Sequence, residues 1–480
     1  MPAPPRPTII PTVSDERFEE HLRRPQGLGL TPTGGHAAAA GGSACGDLVQ
    51  ITLGVDGDRV GEVGFDAEGC GATFAAASAA VSLIRGATIL DAARIGARQI
   101  AAELGGLSPG KLHAADLAAD ALARALGSAA FADAQAAPVP GRTLVAMSGG
   151  VDSAVAALLA AQAGDALAVT LELWRHADND AERSCCSASA VLSARSLAHG
   201  MGLPHLTLDL RDAFRAGVVE PWLAGHAAGV TPNPCVRCNG EVRLDAMLAL
   251  AAKVGAERLA TGHYARIGPD GLLCAAGDPA KDQTYMLAGL ALDSLRRLWF
   301  PLGDMTKPQV RDLAEAHGLP VARRPDSQDL CFLAGTGRAA FLERHLRVAA
   351  RPGPVLDLDG REIGRHEGAH GYTVGQRRGV GVGGKDAPLH VIATDVERNT
   401  VTVAPRAALE RRHVRVGDVR LHAPENDVDA VKLRYRSQAL ACTLRGGEIE
   451  LHEPAWAAAP GQTAVFLAGD RVLGTATIEA

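Results

Sequence analysis

Two stretches of this sequence hold residue types that could act on a phosphate ester and on a sulfur atom. The first, Ser148-Gly149-Gly150-Val151-Asp152-Ser153, lies between the short apolar run 143–147 and the apolar run 154–163. Glycines in such a turn let backbone N–H groups approach an anion, the serines add hydroxyl donors, and the start of the next helix adds favourable partial charge. The stretch lacks the Gly-Lys-Ser/Thr ending of a Walker loop and the spacing of a dinucleotide fingerprint, so neither a GTPase nor a dehydrogenase follows. The second, Thr231-Pro232-Asn233-Pro234-Cys235-Val236-Arg237-Cys238-Asn239, puts two cysteines on a turn-rich loop ahead of a helix expected to start near Glu241. A thiol beside a helix N-terminus and an arginine has a lowered pKa and a larger thiolate fraction, which favours reactivity. A Cys-x-x-Cys pair is also half of a metal knuckle, which a third cysteine would complete. Cys331 follows the polar loop Arg324-Pro325-Asp326-Ser327-Gln328-Asp329-Leu330 and, taken alone, is as readily a buried hydrophobe as a catalyst. Cys185 and Cys186 add two thiols after a strand, whereas Cys274 and Cys442 sit in apolar strand-like runs and read as buried filler.

The elements around these residues alternate between short buried runs and helical periodicity. Strands are expected at 143–147, 166–173, 206–208 and 258–261, with helices at 154–163 and 188–199 between them. That alternation predicts an α/β fold with a parallel sheet, which binds ligands beyond the C-terminal ends of its strands, where the glycine turn falls. Upstream, strands at 48–55 and 59–65 and helices at 72–84, 89–100 and 113–126 form a small α+β domain. An Ala/Pro stretch, 129–142, reads as an interdomain linker. From 356 onward short strands at 389–394, 400–403, 430–433, 439–444, 449–451 and 463–467 predict a small antiparallel barrel or sandwich.

The glycine turn resembles the PP-loop of ATP pyrophosphatases, which hold the pyrophosphate of ATP while AMP passes to a substrate oxygen. From 143 to the C-terminus the chain resembles the bacterial tRNA-specific 2-thiouridylases (the MnmA family). The residues that carry the likeness are the 148–153 loop, Thr231 to Asn239, Ala260-Thr261-Gly262-His263-Tyr264, Lys281-Asp282-Gln283, the Cys331 segment and His370-Gly371-Tyr372-Thr373-Val374-Gly375-Gln376-Arg377. This resemblance implies an ATP-dependent tRNA-uridine 2-sulfurtransferase with ATP and Mg²⁺ as cofactors. The C2 oxygen of the wobble uridine would be adenylated and then replaced by sulfur. Cys331 would bear the persulfide and Cys238 would resolve the transfer, leaving a Cys238–Cys331 disulfide. Ala146, Met147, Ser148, Gly149, Gly150, Val151, Asp152, Ser153 and Gly262 match the ATP site, with Leu173 where methionine is common. Asn233, Pro234 and Cys235 would meet the target base, and His263, Lys281, Asp282, Gln283, Arg434, Tyr435 and Gln462 the tRNA. One departure is Asn233-Pro234-Cys235 where proteobacterial members read Asn-Pro-Asp, which removes a carboxylate proposed as acid or base and leaves a zinc or cluster role for Cys235, Cys238 and Cys331 open.

Residues 15–128 resemble the iron-sulfur scaffold proteins of the IscU/NifU type. Cys45, Asp47, Cys70 and His113 stand where that family keeps its cluster ligands and the neighbouring aspartate, but Ala114 stands where a third ligand cysteine is expected. Thiolate, imidazole and carboxylate donors suit zinc or an iron-sulfur cluster. The alternative is a domain kept for docking a cysteine desulfurase or another sulfur donor. The predicted order is therefore a scaffold-like domain at 1–128, a linker at 129–141, a PP-loop domain at 142–335, a central tRNA-binding domain at 336–385 and a β-barrel at 386–480.

A chain of 480 residues with a formal net charge of −6 is modular and does not coat nucleic acid indiscriminately. RNA contact must come from local patches such as Arg323-Arg324, Gln376-Arg377-Arg378 and Arg434-Tyr435-Arg436. No run approaches the ~18 apolar residues of a membrane span. The first 20 residues do not read as a signal peptide, so a cytoplasmic location is expected. Two rival readings keep the loop: an amide-forming ligase, which needs no pair of separated reactive cysteines, and a metal carrier with a regulatory nucleotide domain.

Overall fold

The computed structural model describes residues 15–41, 46–175, 188–326, 330–346, 351–382, 388–456 and 458–479. The front domain is a three-stranded antiparallel sheet, β1 (His36–Gly41), β2 (Leu48–Asp56) and β3 (Arg59–Glu68), in that order. Val49, Ile51 and Leu53 alternate onto its buried face, while Gly57 at φ +63° turns β2 into β3. Helices α1 (Asp15–Arg23), α2 (Gly71–Ile84) and α5 (Leu112–Ala132) pack around it. Two short helices, α3 (Ile89–Ala92) and α4 (Ala97–Glu103), replace the single helix expected at 89–100. The break falls at Gly96, whose extended backbone caps α4.

The expected linker is mostly ordered structure. Helix α5 runs to Ala132, strand β4 (Val139–Ala146) begins at Val139, and the residues between are held by Gln135 N–H to the Gly57 carbonyl and Ala136 N–H to the Lys253 carbonyl, both 3.0 Å. The front domain is therefore docked directly on the next one. Gly127 of α5 lies so close to strand β6 (His205–Asp209) that a Cβ there would come within 1.9 Å of the Thr207 carbonyl oxygen. Beside this contact Asp120 pairs with Arg195 at 2.9 Å and with Arg124 at 3.0 Å, and Arg124 also pairs with Glu172. Burial, opposed by Arg124, pushes the Glu172 carboxyl above its usual range. Leucines 122 and 126 of α5 and Val169, Leu171, Leu206 and Leu208 of the next domain share one apolar core.

Removing one member of a half-buried ion cluster strands the others, at a cost of about 3 kcal/mol or more. Arg195→Ala is therefore expected to lower the melting temperature of the whole chain, and deletion of residues 1–134 to leave the remainder insoluble or molten. Thermal unfolding by circular dichroism checks both, and a truncated chain that melts like the full one would contradict the docked arrangement.

The second domain is built on a parallel sheet in the order β8 (Leu298–Trp299), β7 (Ala256–Thr261), β4, β5 (Ala166–Glu172), β6. Every residue of β5 is buried, as befits a central strand covered on both faces. The chain leaves β4 toward β5 and β6, then returns to its other side as β7, so the topological switch lies above β4 and β7. Helix α6 (Val151–Ala163) starts there.

Strands Gly353–Leu356, Glu362–His366, Leu389–Asp395 and Thr400–Pro405 form one four-stranded sheet. The strands from 389 to 405 thus belong with the central unit, not with the C-terminal one that the sequence reading began at 386. The last domain is a barrel of six strands: Glu410–Leu421, Ala430–Lys432, Leu440–Arg445, Glu448–Trp456, Thr463–Ala468 and Arg471–Ile478. The first strand pairs with the last to close it. No helix among the described residues is long and apolar enough to cross a membrane.

Candidate active site

The loop after β4 has the shape of an anion cradle. Gly149 takes φ +73° and Gly150 caps α6. Ser153, buried, organises the turn: its Oγ accepts the Ser148 N–H at 3.1 Å and donates to the Gly150 carbonyl at 3.0 Å. Ala146 closes β4, Met147 and Val151 are buried beneath the loop, and Leu173 is buried just past the end of β5. Gly262 follows β7 and meets the loop from the other side of the switch. A Cβ on Gly262 would lie 2.7 Å from the Asp152 carbonyl carbon and the Ser153 nitrogen, both backbone atoms. Gly262→Ala is thus expected to push the start of α6 out of place and cut ATP turnover at least tenfold while leaving the far-UV spectrum unchanged. Wild-type pyrophosphate release from this variant would contradict the shared role of the two loops.

Asp152 does not stand open beside the loop. Its carboxylate accepts from the Lys307 ammonium at 2.7 and 2.8 Å and from the Tyr264 hydroxyl at 2.9 Å. Lys307 is buried and also pairs with Asp326 at 2.8 Å, which in turn accepts from Lys281 at 2.8 Å and Arg311 at 3.2 Å. Although burial opposes it, the Lys281 and Lys307 ammoniums hold Asp326 below the usual carboxylate range. Arg324 donates to the Gly149 carbonyl at 3.0 Å. The site therefore gathers three cations from one segment, Lys307, Arg311 and Arg324, that the loop motif does not announce. One signal was legible: Thr306 and Gln309 form a capping box that starts the helix Lys307–Ala316.

The cysteine segment differs from the expected loop. The helix begins at Pro234, passes a wide turn at Cys238–Arg243 and continues as Leu244–Lys253, so both cysteines are helical. The cause is Asn233, whose Oδ1 accepts the N–H groups of Cys235 and Val236 at 3.0 and 3.4 Å, with proline at the first helical position. Pro234 and Cys238 are buried and Cys235 is half-buried. Arg237, invoked as an activator of these thiols, donates instead to the Gly217 carbonyl at 2.6 Å and pairs with Glu241 at 3.3 Å. Cys331, half-buried, packs at the edge of the apolar cluster that contains Cys238. Its neighbour Phe332 fixes it there, buried among Trp222, Phe214 and Phe341 at ring distances of 5.2, 5.9 and 5.2 Å.

Several residues read as tRNA contacts also hold the protein together. Lys281 pairs with Asp326; Asp282 accepts from Thr284 and pairs with Lys432; Gln283 accepts the Tyr264 N–H. Gln462 donates to the Thr231 carbonyl at 2.6 Å and ties the barrel to the cysteine segment. His263 bonds Thr261 at 2.8 Å, and burial together with Arg243 pushes its pKa down to about 3, so it is neutral at pH 7. Arg434 lies over the Trp456 ring and Tyr435 beside Tyr285.

In the front domain Asp47, Cys70 and His113 offer ligand atoms that all lie within 4.8 Å of one another, the only such group among the described residues. Cys70 sits at the N-cap of α2, with its Sγ 3.5 Å from the Thr73 hydroxyl. Asp47 is buried, accepts from Thr73 at 2.7 Å and meets His113 at 3.3 Å. Gly69 is required at this approach, since a Cβ there would fall 2.4 Å from Asp47 Oδ1. A thiolate, an imidazole and a carboxylate so placed fit a tetrahedral metal ion. Cys45, Cys185 and Cys186 lie outside the described residues.

Comparison with known proteins agrees with this architecture. Residues 14–134 match the NifU-like N terminal domain, 141–335 the tRNA methyl transferase HUP domain, 339–405 the tRNA methyl transferase PRC-barrel domain and 411–478 the aminomethyltransferase beta-barrel domain. The chain is 42% identical over 475 residues to the bifunctional protein NifU/MnmA of Rubrobacter xylanophilus, covering 95% of this chain and 96% of that protein. It is also 42% identical to the tRNA-specific 2-thiouridylases MnmA of a Roseiflexus species and of Thermus thermophilus, covering 69% and 70% of this chain and 98% and 94% of theirs. With its loop, cysteine segments and barrel in the same order, the chain belongs to the tRNA-specific 2-thiouridylase (MnmA) family, in the form that carries a NifU-like domain in front.

Proposed function

We propose that this protein converts the wobble uridine of tRNA to 2-thiouridine, consuming ATP and releasing AMP and pyrophosphate. The observation that carries the reading is the phosphate cradle at the sheet's switch point, in a domain that also carries Cys238 and, on a separate segment, Cys331. ATP lies on the 148–153 loop with its adenine near Leu173, and the N-terminus of α6 with Lys307 and Arg324 stabilises the departing pyrophosphate. The uridine O2 attacks the α-phosphorus, the bond to pyrophosphate breaks, and O2 becomes part of an AMP ester. The outer sulfur of a persulfide on Cys331 adds to C2, and AMP leaves with the original oxygen. The Cys238 thiolate then attacks Cys331 Sγ, the S–S bond to the substrate breaks, and its electrons stay with the sulfur on C2. The resulting Cys238–Cys331 disulfide is returned to thiols by a dithiol reductant.

Asp152 is held through both oxygens by Lys307, so a Mg²⁺ ion arriving with the ATP phosphates would have to share the carboxylate with that ammonium. In the front domain Asp47, Cys70 and His113 would hold zinc or iron, and that domain would receive a cysteine desulfurase. The test is mass spectrometry of tRNA nucleosides after incubation with ATP, a dithiol reductant and a donor that already carries persulfide sulfur, a cysteine desulfurase supplied with cysteine. 2-Thiouridine in equal amount to AMP is expected, and AMP formed without any thiolated nucleoside would contradict the reading.

A further inference from the structure

The thiol of Cys235 has no task in adenylation, in sulfur transfer from Cys331 or in resolution by Cys238. Its position offers one. Asn233 caps the helix, Pro234–Arg237 make its first turn, and Cys238 opens the wide turn that follows, a feature often found at functional sites. The Cys238 N–H bonds the carbonyls of Cys235 and Pro234, which fixes the two cysteines on one helical turn. Three positions along an α-helix separate Cα atoms by about 5 Å, within the roughly 4.4–6.8 Å that a disulfide spans. Cys235 and Cys238 can therefore be joined without unwinding the helix.

The three sulfurs differ in access. Cys238 is 6% exposed, whereas Cys235 and Cys331 are half-buried. In a Cys238–Cys331 disulfide one sulfur is thus enclosed, and the other sits beside Phe332, which Trp222, Phe214 and Phe341 surround. A reductant that attacked Cys331 would also become attached to the sulfur carrier itself. Exchange between thiols and disulfides is governed by which sulfur can be reached, and a thiol on the same chain acts at an effective concentration of about millimolar or above. The sulfurs of Cys235, Cys238 and Cys331 are not gathered within 4.8 Å of one another, as the ligand atoms of Asp47, Cys70 and His113 are. Pairwise exchange suits that spacing better than joint ligation of one ion.

We infer that Cys235 is a third reacting thiol, which takes the disulfide over from Cys331 and presents it to the reductant. The Cys235 thiolate attacks Cys238 Sγ, a Cys235–Cys238 bond forms, the Cys238–Cys331 bond breaks, and its electron pair leaves on Cys331. The proton lost by Cys235 is regained at Cys331, so this step consumes neither oxidant nor reductant. Cys331 is then a thiol able to take the next sulfur, while the oxidation waits on the first helical turn. There one thiol of the dithiol reductant attacks the half-buried Cys235 Sγ, Cys238 leaves as a thiolate, and the second thiol of the reductant releases Cys235. The inference rests on the proposed thiolation and deepens it by naming where the reductant enters.

The experiment is disulfide mapping in full-length protein after a single turnover without reductant. Cys331 is loaded by a cysteine desulfurase supplied with cysteine, ATP and tRNA are added, and the protein is quenched with acid, alkylated and digested with trypsin. Cleavage after Arg237 separates Cys235 from Cys238, so mass spectrometry tells the possible pairs apart. Wild type is expected to show about one Cys235–Cys238 bond for each 2-thiouridine formed, with Cys331 alkylated. Cys235→Ser is expected to retain a Cys238–Cys331 bond. With limiting dithiothreitol that variant should show a first-turnover burst and then steady thiolation about fivefold or more slower than wild type. Accumulation of the Cys238–Cys331 bond in wild type would overturn the inference, as would a wild-type steady rate in Cys235→Ser. A burst and a steady rate that fall together would put Cys235 at the substrate or at a metal ion, and overturn it as well. Wild-type protein that forms no 2-thiouridine would instead overturn the functional reading beneath it.

Discussion

Cys331→Ala is expected to abolish thiolation, on the order of 10³-fold or more, as deletion of a nucleophile does in other covalent enzymes. The same variant should still form AMP on tRNA, because the phosphate loop lies on a different segment and Phe332 keeps the local packing. Cys238→Ala should lose turnover to a similar degree but by a different route. With the resolving thiol gone, sulfur can load on Cys331 and reach C2, and the product should then remain attached through a disulfide. Gel analysis of a tRNA–protein adduct that dithiothreitol releases would detect it. Thiolated tRNA from Cys331→Ala at the wild-type rate would contradict the scheme.

The second large effect is expected at the phosphate loop. Asp152→Ala removes the acceptor of both Lys307 and Tyr264, leaving the buried ammonium to Asp326 alone. The ammonium then shifts away from the loop, and the loss of one aligned cation is expected to lower AMP formation on the order of 10²-fold. Asp152→Asn, which can still accept from Tyr264 but lacks the charge, should recover little of it. If the role were only structural, both variants would lose melting temperature and activity in parallel. An activity loss at unchanged melting temperature is the expected pattern, and normal pyrophosphate release in Asp152→Ala would refute the role.

Much of this architecture was legible because its signals are local. The β4 run and the glycine turn announce a strand, a cradle and a helix in consecutive residues, and the hairpin around Gly57 does the same for the front sheet. Cys274 and Cys442 are buried in strands as their apolar surroundings implied, and burial raises both thiols. What escaped was set by distance in the chain. Lys307 reaches Asp152 across 155 positions, and nothing near either residue predicts the pair. The Asn233-Pro234 start of the cysteine helix was legible as a cap followed by proline, but a turn reading of two prolines masked it. The segment at 129–142 looked like a tether because alanine and proline are common in linkers, yet alanine is also the strongest helix former and let α5 run to Ala132. With the Ala93 carbonyl accepting the His205 N–H of β6 at 2.9 Å and Arg124 paired with Glu172 of β5, the front domain is a fixed neighbour of the parallel sheet, not a tethered one.

In the proposed reaction the uridine oxygen leaves as part of AMP. This step is tested most directly with tRNA carrying ¹⁸O at C2 of the target uridine, full-length protein, ATP and a sulfur donor, followed by mass spectrometry of the AMP. The expected result is one ¹⁸O in each AMP formed, in equal number to the 2-thiouridines. AMP free of label, with thiolated tRNA still produced, would contradict the account.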